Sequence, residues 1–200
     1  RRILMGGALS NGGNVYGWMR SSLQFGDDAD VEQAIAAMSP DAHGLTVLPF
    51  WAGERSPGWH ASARATITGM TLHTTPTDIM RASLEATAYC FASIYARLQT
   101  IHVEVKEMIA SGAGLLQSPA WLQMMADVLG RPVVASAVTE ASSRGAALLA
   151  LESAGILSDP IEAPVPLDKT YDPDMTNHAR YREAMFRQQE LYELLVSNSE

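Results

Sequence analysis

Lysine and cysteine are scarce in this 200-residue sequence. The chain contains two lysines, Lys106 and Lys169, and one cysteine, Cys90. A Walker-type phosphate loop needs a lysine and a Ser or Thr directly after its last glycine, and neither lysine has such a position. A single cysteine cannot form an internal disulfide, and Cys90 falls within an apolar helical pattern, where a free thiol usually acts as a small buried hydrophobe. The sequence therefore excludes a P-loop and a disulfide framework.

Positive charge and long apolar runs are also in short supply. The 14 Lys and Arg residues face 22 Asp and Glu residues, and the net charge of −8 is not offset by any basic stripe. Nucleic acid and anionic membrane are therefore not expected as partners. No apolar run approaches the ~18 residues of a membrane span, and no secretory signal is evident. We expect a cytoplasmic protein and, because the sequence begins at Arg1 rather than Met, a piece of a longer one.

Histidine spacing gives no sign of a metal site. The five histidines do not have the spacing of metal ligands; they are His43, His60, His73, His102 and His178. The apolar content of 47% is enough for a sizeable core. Apolar strand-like segments alternate with helical patterns, which predicts an α/β domain whose sheet is covered by helices.

One stretch, residues 108–130, has the form of a strand, a loop of small residues and a helix. An apolar run that ends at Ala110 predicts a buried strand over 103–111, and Ser111-Gly112-Ala113-Gly114 predicts a tight loop. Ser118 and Pro119 are typical of an N-cap and a first helical residue, and Gly130 of a helix end. Such a loop and helix N-terminus let a ligand approach the main chain closely, so we interpret the stretch as a nucleotide site.

A second glycine-rich segment lies near the start of the chain. The short apolar run 3–5 predicts a strand, and residues 10–14, Ser-Asn-Gly-Gly-Asn, then lead into a helix with an apolar stripe at Val15, Trp18, Met19 and Leu23. We interpret this segment as a second glycine-rich approach to a helix N-terminus.

Two other interpretations of the 111–114 loop stay open at this point. A dinucleotide fingerprint would need a third glycine where Gln117 stands, and an acid about 20 residues further on. Alternatively, Gly112 and Gly114 only permit a sharp turn and close packing of helix on strand.

Further elements follow from periodicity. Thr77 is expected to cap a long helix with a wide apolar surface, and that surface could also serve a partner such as a second copy of the chain.

The loop 51–60 is either a working surface or a segment pinned by a pair between Glu54 and Arg55. Asp127 is expected to tie its helix to a neighbouring loop, and Glu140 to complement a helix dipole. The last helix, from Asp172-Pro173 to about Val196, is predicted to lie on the surface.

The residues from 65 to 85 resemble the second signature of the FGGY carbohydrate kinases. The matching pattern is Ala65-x-Ile67-x-Gly69-Met70, seven residues, then Asp78-Ile79-x-x-Ala82-Ser83-Leu84-Glu85. The neighbouring segments 53–59, 111–132 and 140–147 resemble the family's loop, adenosine motif and later helix in the same order. The segment 6–13 is similar to the gluconokinase-like branch, and the xylulokinase-like branch shares much of the pattern.

The resemblance implies an actin-like ATPase fold with two RNase H-like lobes. Residues 1–200 would form the C-terminal, nucleotide-binding lobe, a mixed sheet flanked by helices, and the N-terminal lobe would lie upstream. By the same resemblance, Gly112, Ala113 and Gly114 would line the adenine and ribose, Gln117 would hydrogen-bond the base, and Gly12 and Gly13 would form the opposite wall.

The resemblance also implies the reaction. Family members phosphorylate a sugar hydroxyl with ATP and Mg²⁺, using an aspartate base that would lie upstream of Arg1 with the phosphate-binding loops. No catalytic residue and no metal ligand is therefore assigned within this chain, which we expect to be inactive alone and to pair with its own N-terminal lobe. Ala113 and Gly17 depart from the family pattern, since Gly17 stands where glycerol kinases carry a nucleotide-contacting Gln. These departures keep open a non-catalytic lobe used for association or regulation.

Overall fold

The computed structural model describes residues 4–25, 30–101 and 105–197. The helices are α1 (Gly13–Ser22), α2 (Val31–Ala37), α3 (Pro76–Gln99), α4 (Ala113–Leu116), α5 (Pro119–Leu129), α6 (Ala141–Ser153) and α7 (Met175–Tyr192). The strands are β1 (Thr46–Leu48), β2 (Thr66–Thr68), β3 (Ile109–Ala110), β4 (Val133–Ser136) and β5 (Leu167–Tyr171). A 3₁₀ turn, Pro160–Glu162, precedes β5, and a π-helical turn, Glu193–Ser197, follows α7.

Two small sheets are formed by the described strands. β1 and β2 are antiparallel, with Val47 opposite Ile67. In the other sheet β4 is central, parallel to β3 and antiparallel to β5. This mixed sheet, with α5 packed against it, confirms the expected α/β class.

Helix α3 is the central element of the domain. All ten residues from Met80 to Tyr89 are buried, because α3 packs against α5, α2, α7 and β1 on different sides. A helix surrounded in this way is apolar or internally paired on every face. One cross-link to α5 is a hydrogen bond from the indole Nε1 of Trp121 to the carbonyl oxygen of Leu84, at 3.2 Å.

The predicted caps of helices α5 and α3 can be compared with the structure. Helix α5 begins and ends as predicted, with Ser118 as N-cap and Gly130 in the left-handed conformation at φ +62°. For α3 the cap is Thr75 rather than Thr77, which lies inside the first turn. Thr75 and Asp78 form a reciprocal capping box, and Pro76 at the first helical position fixes the start.

Three further predictions of elements were wrong or only partly correct. Leu4 and Met5 have no regular structure, although residue 3 lies outside the described part. The strand expected over 103–111 is limited to β3, with 103 and 104 outside the described residues. Helix α7 begins at Met175 with Asp174 as N-cap, and it is not a pure surface helix, since its Tyr181 is fully buried.

A buried network of charged and polar side chains holds α3 to its neighbours. Glu85 accepts hydrogen bonds from Arg81 at 2.5 Å, from His43 Nε2 at 3.0 Å and from Tyr89 at 3.2 Å. Arg81 also donates to Tyr181 on α7, at 2.8 Å, and to the carbonyl of Ile35 on α2. The network therefore connects α2, α3 and α7.

The ionised form of Glu85 is favoured by this network. Burial works to raise the pKa of the Glu85 carboxyl, but the hydrogen bond from His43 and the positive charge of Arg81 outweigh it and leave the pKa below its ordinary value of 4.5. The Nδ1 atom of His43 accepts from the backbone N–H of Leu45 at 3.0 Å, so Nε2 carries the proton that is donated to Glu85.

Replacing Glu85 by Gln should therefore destabilise the protein in a pH-dependent way. Loss of the carboxylate leaves Arg81 as a buried unpaired charge, which costs about 3 kcal/mol or more. Because the folded-state pKa is lowered, the contribution of Glu85 is complete above its ordinary pKa and is lost as pH falls through the folded-state value. Urea unfolding between pH 7 and pH 3 should show the gap between wild type and Glu85→Gln closing in acid. A gap that is constant with pH would contradict this account.

Candidate functional site

The two glycine-rich segments meet in the structure. A Cβ atom added to Gly114 would lie 2.8 Å from the Cα of Gly13, and one added to Gly13 would lie 3.5 Å from the Cα of Gly114. Real Cβ atoms essentially never approach another heavy atom within 3.0 Å, so the contact depends on glycine at position 114. The first turns of α1 and α4 are thereby brought into backbone contact, although they are about a hundred residues apart in sequence.

The first segment forms a tight loop before α1. The side chain of Asn14 accepts from the backbone N–H of Gly12 at 2.7 Å and donates to the carbonyl of Ser10 at 2.9 Å. Gly12 is the N-cap residue and supplies no side chain of its own to the helix. The start of α1 therefore presents main chain rather than side chains at this surface.

The second segment turns sharply after β3. Gly112 adopts φ +101°, a conformation that a residue with a Cβ rarely adopts, and the single turn α4 follows directly. The backbone N–H groups of Leu116 and Gln117 donate to the carbonyls of Gly112 and Ala113, at 3.0 and 3.1 Å. Gly112, Ala113 and Gln117 are exposed at this surface, and Gly114 is half-buried.

The space in front of the two segments is open. A Cβ atom added to Gly12, Gly17 or Gly112 would have no heavy atom within 4 Å. Gly13 and Gly17 are four residues apart on α1 and therefore lie on one face of it. At Gly12, Gly17 and Gly112 the main chain is thus not covered by other residues, and a ligand can approach it closely.

The N-terminus of α5 differs from the sequence-based expectation. Its first backbone N–H groups do not face a ligand, because Ala120 donates to the carboxylate of Glu32 at 2.7 Å and Trp121 donates to the hydroxyl of Ser118 at 3.1 Å. Ser118 also donates to Glu32 at 2.8 Å. A carboxylate at this end of α5 compensates the helix dipole. The protein's own acid therefore occupies the position that the sequence suggested for a bound anion.

Glu32 could not have been found from the sequence, because it is 86 residues from Ser118 along the chain. The expected role of Asp127 agrees with the structure, since its carboxylate accepts from the backbone N–H of Asp174 and from Asn177 at the start of α7, at 2.8 and 3.0 Å. Glu140 is the N-cap residue of α6 and makes no side-chain cap hydrogen bond.

The side chains of the 51–60 loop are arranged differently from the expected pair. Glu54 is buried and accepts from the N–H groups of Gly58 and His60 and from the Tyr192 hydroxyl, whereas the guanidinium of Arg55 lies 5.8 Å from the ring centre of Trp59. The loop is therefore pinned through Glu54. Cys90 lies nearby, and burial, together with the charge of Glu54, raises the pKa of its thiol to about 12, so it is not a reactive thiolate.

Neither a metal centre nor a membrane span is evident in the parts of the chain that the structure covers. Residues 4–25, 30–101 and 105–197 contain no group of three or more His, Cys, Asp or Glu side chains that could hold a metal ion. No helix within those ranges is long and apolar enough to cross a membrane.

Comparison with known proteins agrees with this geometry. Residues 1–154 match the model of the C-terminal domain of the FGGY family of carbohydrate kinases. The chain belongs to this family. It is 34% identical over 183 residues to glycerol kinase of Deinococcus radiodurans, an alignment that covers 90% of this chain and 36% of the relative.

Solved structures of FGGY kinases have the same fold. The xylulose kinase of Lactobacillus acidophilus superposes with a TM-score of 0.81 at 26% identity, and the gluconate kinase of the same organism with a TM-score of 0.80 at 26% identity. Each match covers 96% of this chain and 40% of the other. The FGGY chain described here thus has the expected actin-like fold, and it spans about two fifths of the length of the proteins it matches.

Changing Gly114 to Ala should destabilise the domain. The added methyl would clash with the Cα of Gly13, and because the clash is with backbone rather than with a flexible side chain, we expect a cost of about 1–3 kcal/mol. The matched control is Gly17→Ala in the interior of α1, where the methyl meets open space and should stabilise by about 0.5–1 kcal/mol. Urea unfolding measures both changes. Equal effects of the two variants would show that the two glycine segments do not touch.

Proposed function

We propose that the chain is the C-terminal, nucleotide-binding lobe of a carbohydrate kinase that transfers a phosphoryl group from ATP to a hydroxyl of a sugar or sugar acid. The proposed substrate resembles gluconate or xylulose, and the reaction uses Mg²⁺. The observation that supports this function best is the backbone contact between Gly13 and Gly114 in a chain of the FGGY family.

The shape of the site suits a purine nucleotide. A flat base and a ribose pack well on main chain that has no Cβ atoms, and the open space at Gly12 and Gly112 leaves room for them. In the proposal, Gly112, Ala113 and Gly114 line the adenine and ribose, and Gly12 and Gly13 form the opposite wall. The exposed amide of Gln117, at the end of α4, is available to hydrogen-bond the base.

The chemistry is divided between this chain and the part we place upstream. Phosphoryl transfer needs an acceptor hydroxyl within hydrogen-bond reach of a base, and charge neutralisation on the transferred group. The described residues hold no cluster of acids for a metal ion, so in this proposal Mg²⁺ is bound by the nucleotide phosphates and by carboxylates upstream. This chain holds the base and ribose and thereby orients the terminal phosphate.

The exposed surface of helix α6 favours a partner that covers it. No residue of α6 is buried, and Leu149, Leu151 and the following Ile156 are 57%, 40% and 73% exposed. Leu149 and Leu151 are two positions apart, so α6 exposes apolar side chains on more than one side, which favours a partner that packs around it. We propose that the protein's own N-terminal lobe covers α6, with homodimerisation as the alternative, in a protein of the cytoplasm.

A second candidate function is a lobe that retains the fold without catalysis, for association or regulation. Two positions favour it: Ala113, where the family pattern has a second glycine, and Gly17, which leaves open space where glycerol kinases are expected to carry a contacting side chain. Both changes reduce specific contacts with a nucleotide but leave the cleft open. Turnover by the full-length protein distinguishes the two functions.

The full-length protein should convert ATP to ADP by transferring the terminal phosphoryl group to a hydroxyl of one substrate in a panel of gluconate, xylulose and glycerol, in a reaction that requires Mg²⁺. The 200-residue chain alone should bind ADP but give no turnover, because the base is upstream. Coupled ADP-release assays measure turnover, and calorimetry measures binding. Failure of the full-length protein to bind either ATP or ADP would contradict the kinase function, whereas binding without turnover on any sugar would favour the non-catalytic lobe.

A further inference from the structure

The glycine-rich segment before α1 is clamped to the 51–60 loop by four hydrogen bonds. The buried side chain of Asn11 donates from Nδ2 to the carbonyl of Gly53 at 2.8 Å and accepts at Oδ1 from the N–H of Ala52 at 2.9 Å. Three residues earlier, Ala8 donates to the hydroxyl of Ser56 at 2.8 Å, and its carbonyl accepts from the N–H of Ser56 at 2.9 Å. We call residues 8–11 and 52–56, with these bonds, the clamp.

We propose that Asn11 is a positioning residue for the nucleotide site, which holds the Gly12–Gly13 wall in place through the clamp. This inference rests on the proposed function. Residues 4–12 contain no helix or strand, so backbone ladders do not determine their path. Gly12 and Gly13 have no side chains with which to pack, and the adjacent Asn11 therefore supplies the anchor that they lack.

The other side of the clamp is itself rigid. Glu54 is 4% exposed, and its carboxylate accepts from Gly58 N–H at 3.0 Å, His60 N–H at 3.3 Å and the Tyr192 hydroxyl at 2.9 Å. The N–H of Gly53 donates to the carbonyl of Phe50, just after β1, at 3.1 Å. Burial, with the hydrogen bond to Glu54, raises the pKa of Tyr192, so its hydroxyl remains a donor. The loop is thus attached to α7 and β1.

The geometry of the amide explains why Asn is suited to position 11. One atom must donate and the other must accept, because the partners are a carbonyl and an N–H of adjacent residues, Gly53 and Ala52. Asp would keep the acceptor but would place a carboxylate oxygen against the Gly53 carbonyl. Ala would lose both bonds and leave the carbonyl of the buried Gly53 and the N–H of the exposed Ala52 without this partner.

Steady-state kinetics of the full-length enzyme tests the proposal. Asn11→Ala should raise KM for ATP about tenfold, while kcat and KM for the sugar change by less than about threefold. Without the two bonds the Gly12–Gly13 wall has to be ordered when ATP binds, and the net free energy of two such bonds corresponds to about a tenfold change in affinity. Asn11→Asp should give a shift of similar size, and Ser56→Ala, which removes one bond of the clamp, a smaller one. The three variants together give a graded series.

The control is Thr75→Ala, which removes the capping-box hydroxyl of α3. It should lower thermal stability, as the loss of a helix N-cap does, yet leave KM for ATP unchanged. If Asn11→Ala does not fold, Asn11→Asp and Ser56→Ala decide the question with direct ADP titration.

The possible outcomes separate this inference from the proposed function. If wild type binds ATP and the Asn11 variants keep KM for ATP within about twofold of it, the clamp does not position the site and the kinase function stands. A parallel rise in KM for sugar and ATP, or the same rise in Thr75→Ala, would show a general loss of structure and overturn the inference. A wild-type enzyme that binds no nucleotide would overturn both the role of Asn11 and the proposed kinase function.

Discussion

The backbone contact between Gly13 and Gly114 is the constraint on which the candidate site depends. Two segments from distant parts of the chain approach so closely that a Cβ at position 114 would collide with main chain. The contact brings together two stretches that each present main chain to solvent, although they are about a hundred residues apart in the sequence. The site is therefore a property of the pair of segments, and the residues around them serve to hold that pair in place.

Three different supports hold the segments. Asn14 closes the loop before α1 from inside, Asn11 joins it to the 51–60 loop, and Glu32 binds the start of α5 behind the second segment. In each case a side-chain oxygen or nitrogen atom forms a hydrogen bond with a backbone group. This is the expected solution where a segment needs a defined path but contains glycine and cannot rely on side-chain packing.

The core beneath the site is organised around α3. Because α3 is buried on every side from Met80 to Tyr89, the polar residues of that stretch must be paired, and the Arg81–Glu85 pair meets this requirement while linking α2 to α7. Helix α6 is the opposite case, since it contributes no buried residue to the domain. The contrast is consistent with the proposal that another part of the protein covers α6.

Several helix ends and the family could be predicted from the sequence, because they depend on residues that are close together in the chain. Ser118-Pro119 and Gly130 mark the ends of α5 because capping and the left-handed conformation depend on adjacent residues alone, and the signature from Ala65 to Glu85 indicated the family. The position of the α3 cap was missed by two residues, since Thr75 and Thr77 are both capable caps and the reciprocal bond with Asp78 selects Thr75.

The Gly12–Gly13 and 112–114 segments were recognisable as glycine-rich approaches to helices, but their contact joins residues that are far apart in the sequence. Glu32 at the start of α5, Asn11 on Ala52 and Gly53, and the burial of Tyr181 were decided only by the tertiary structure, because each partner is between 41 and 100 residues away and no local pattern encodes a contact over such a distance.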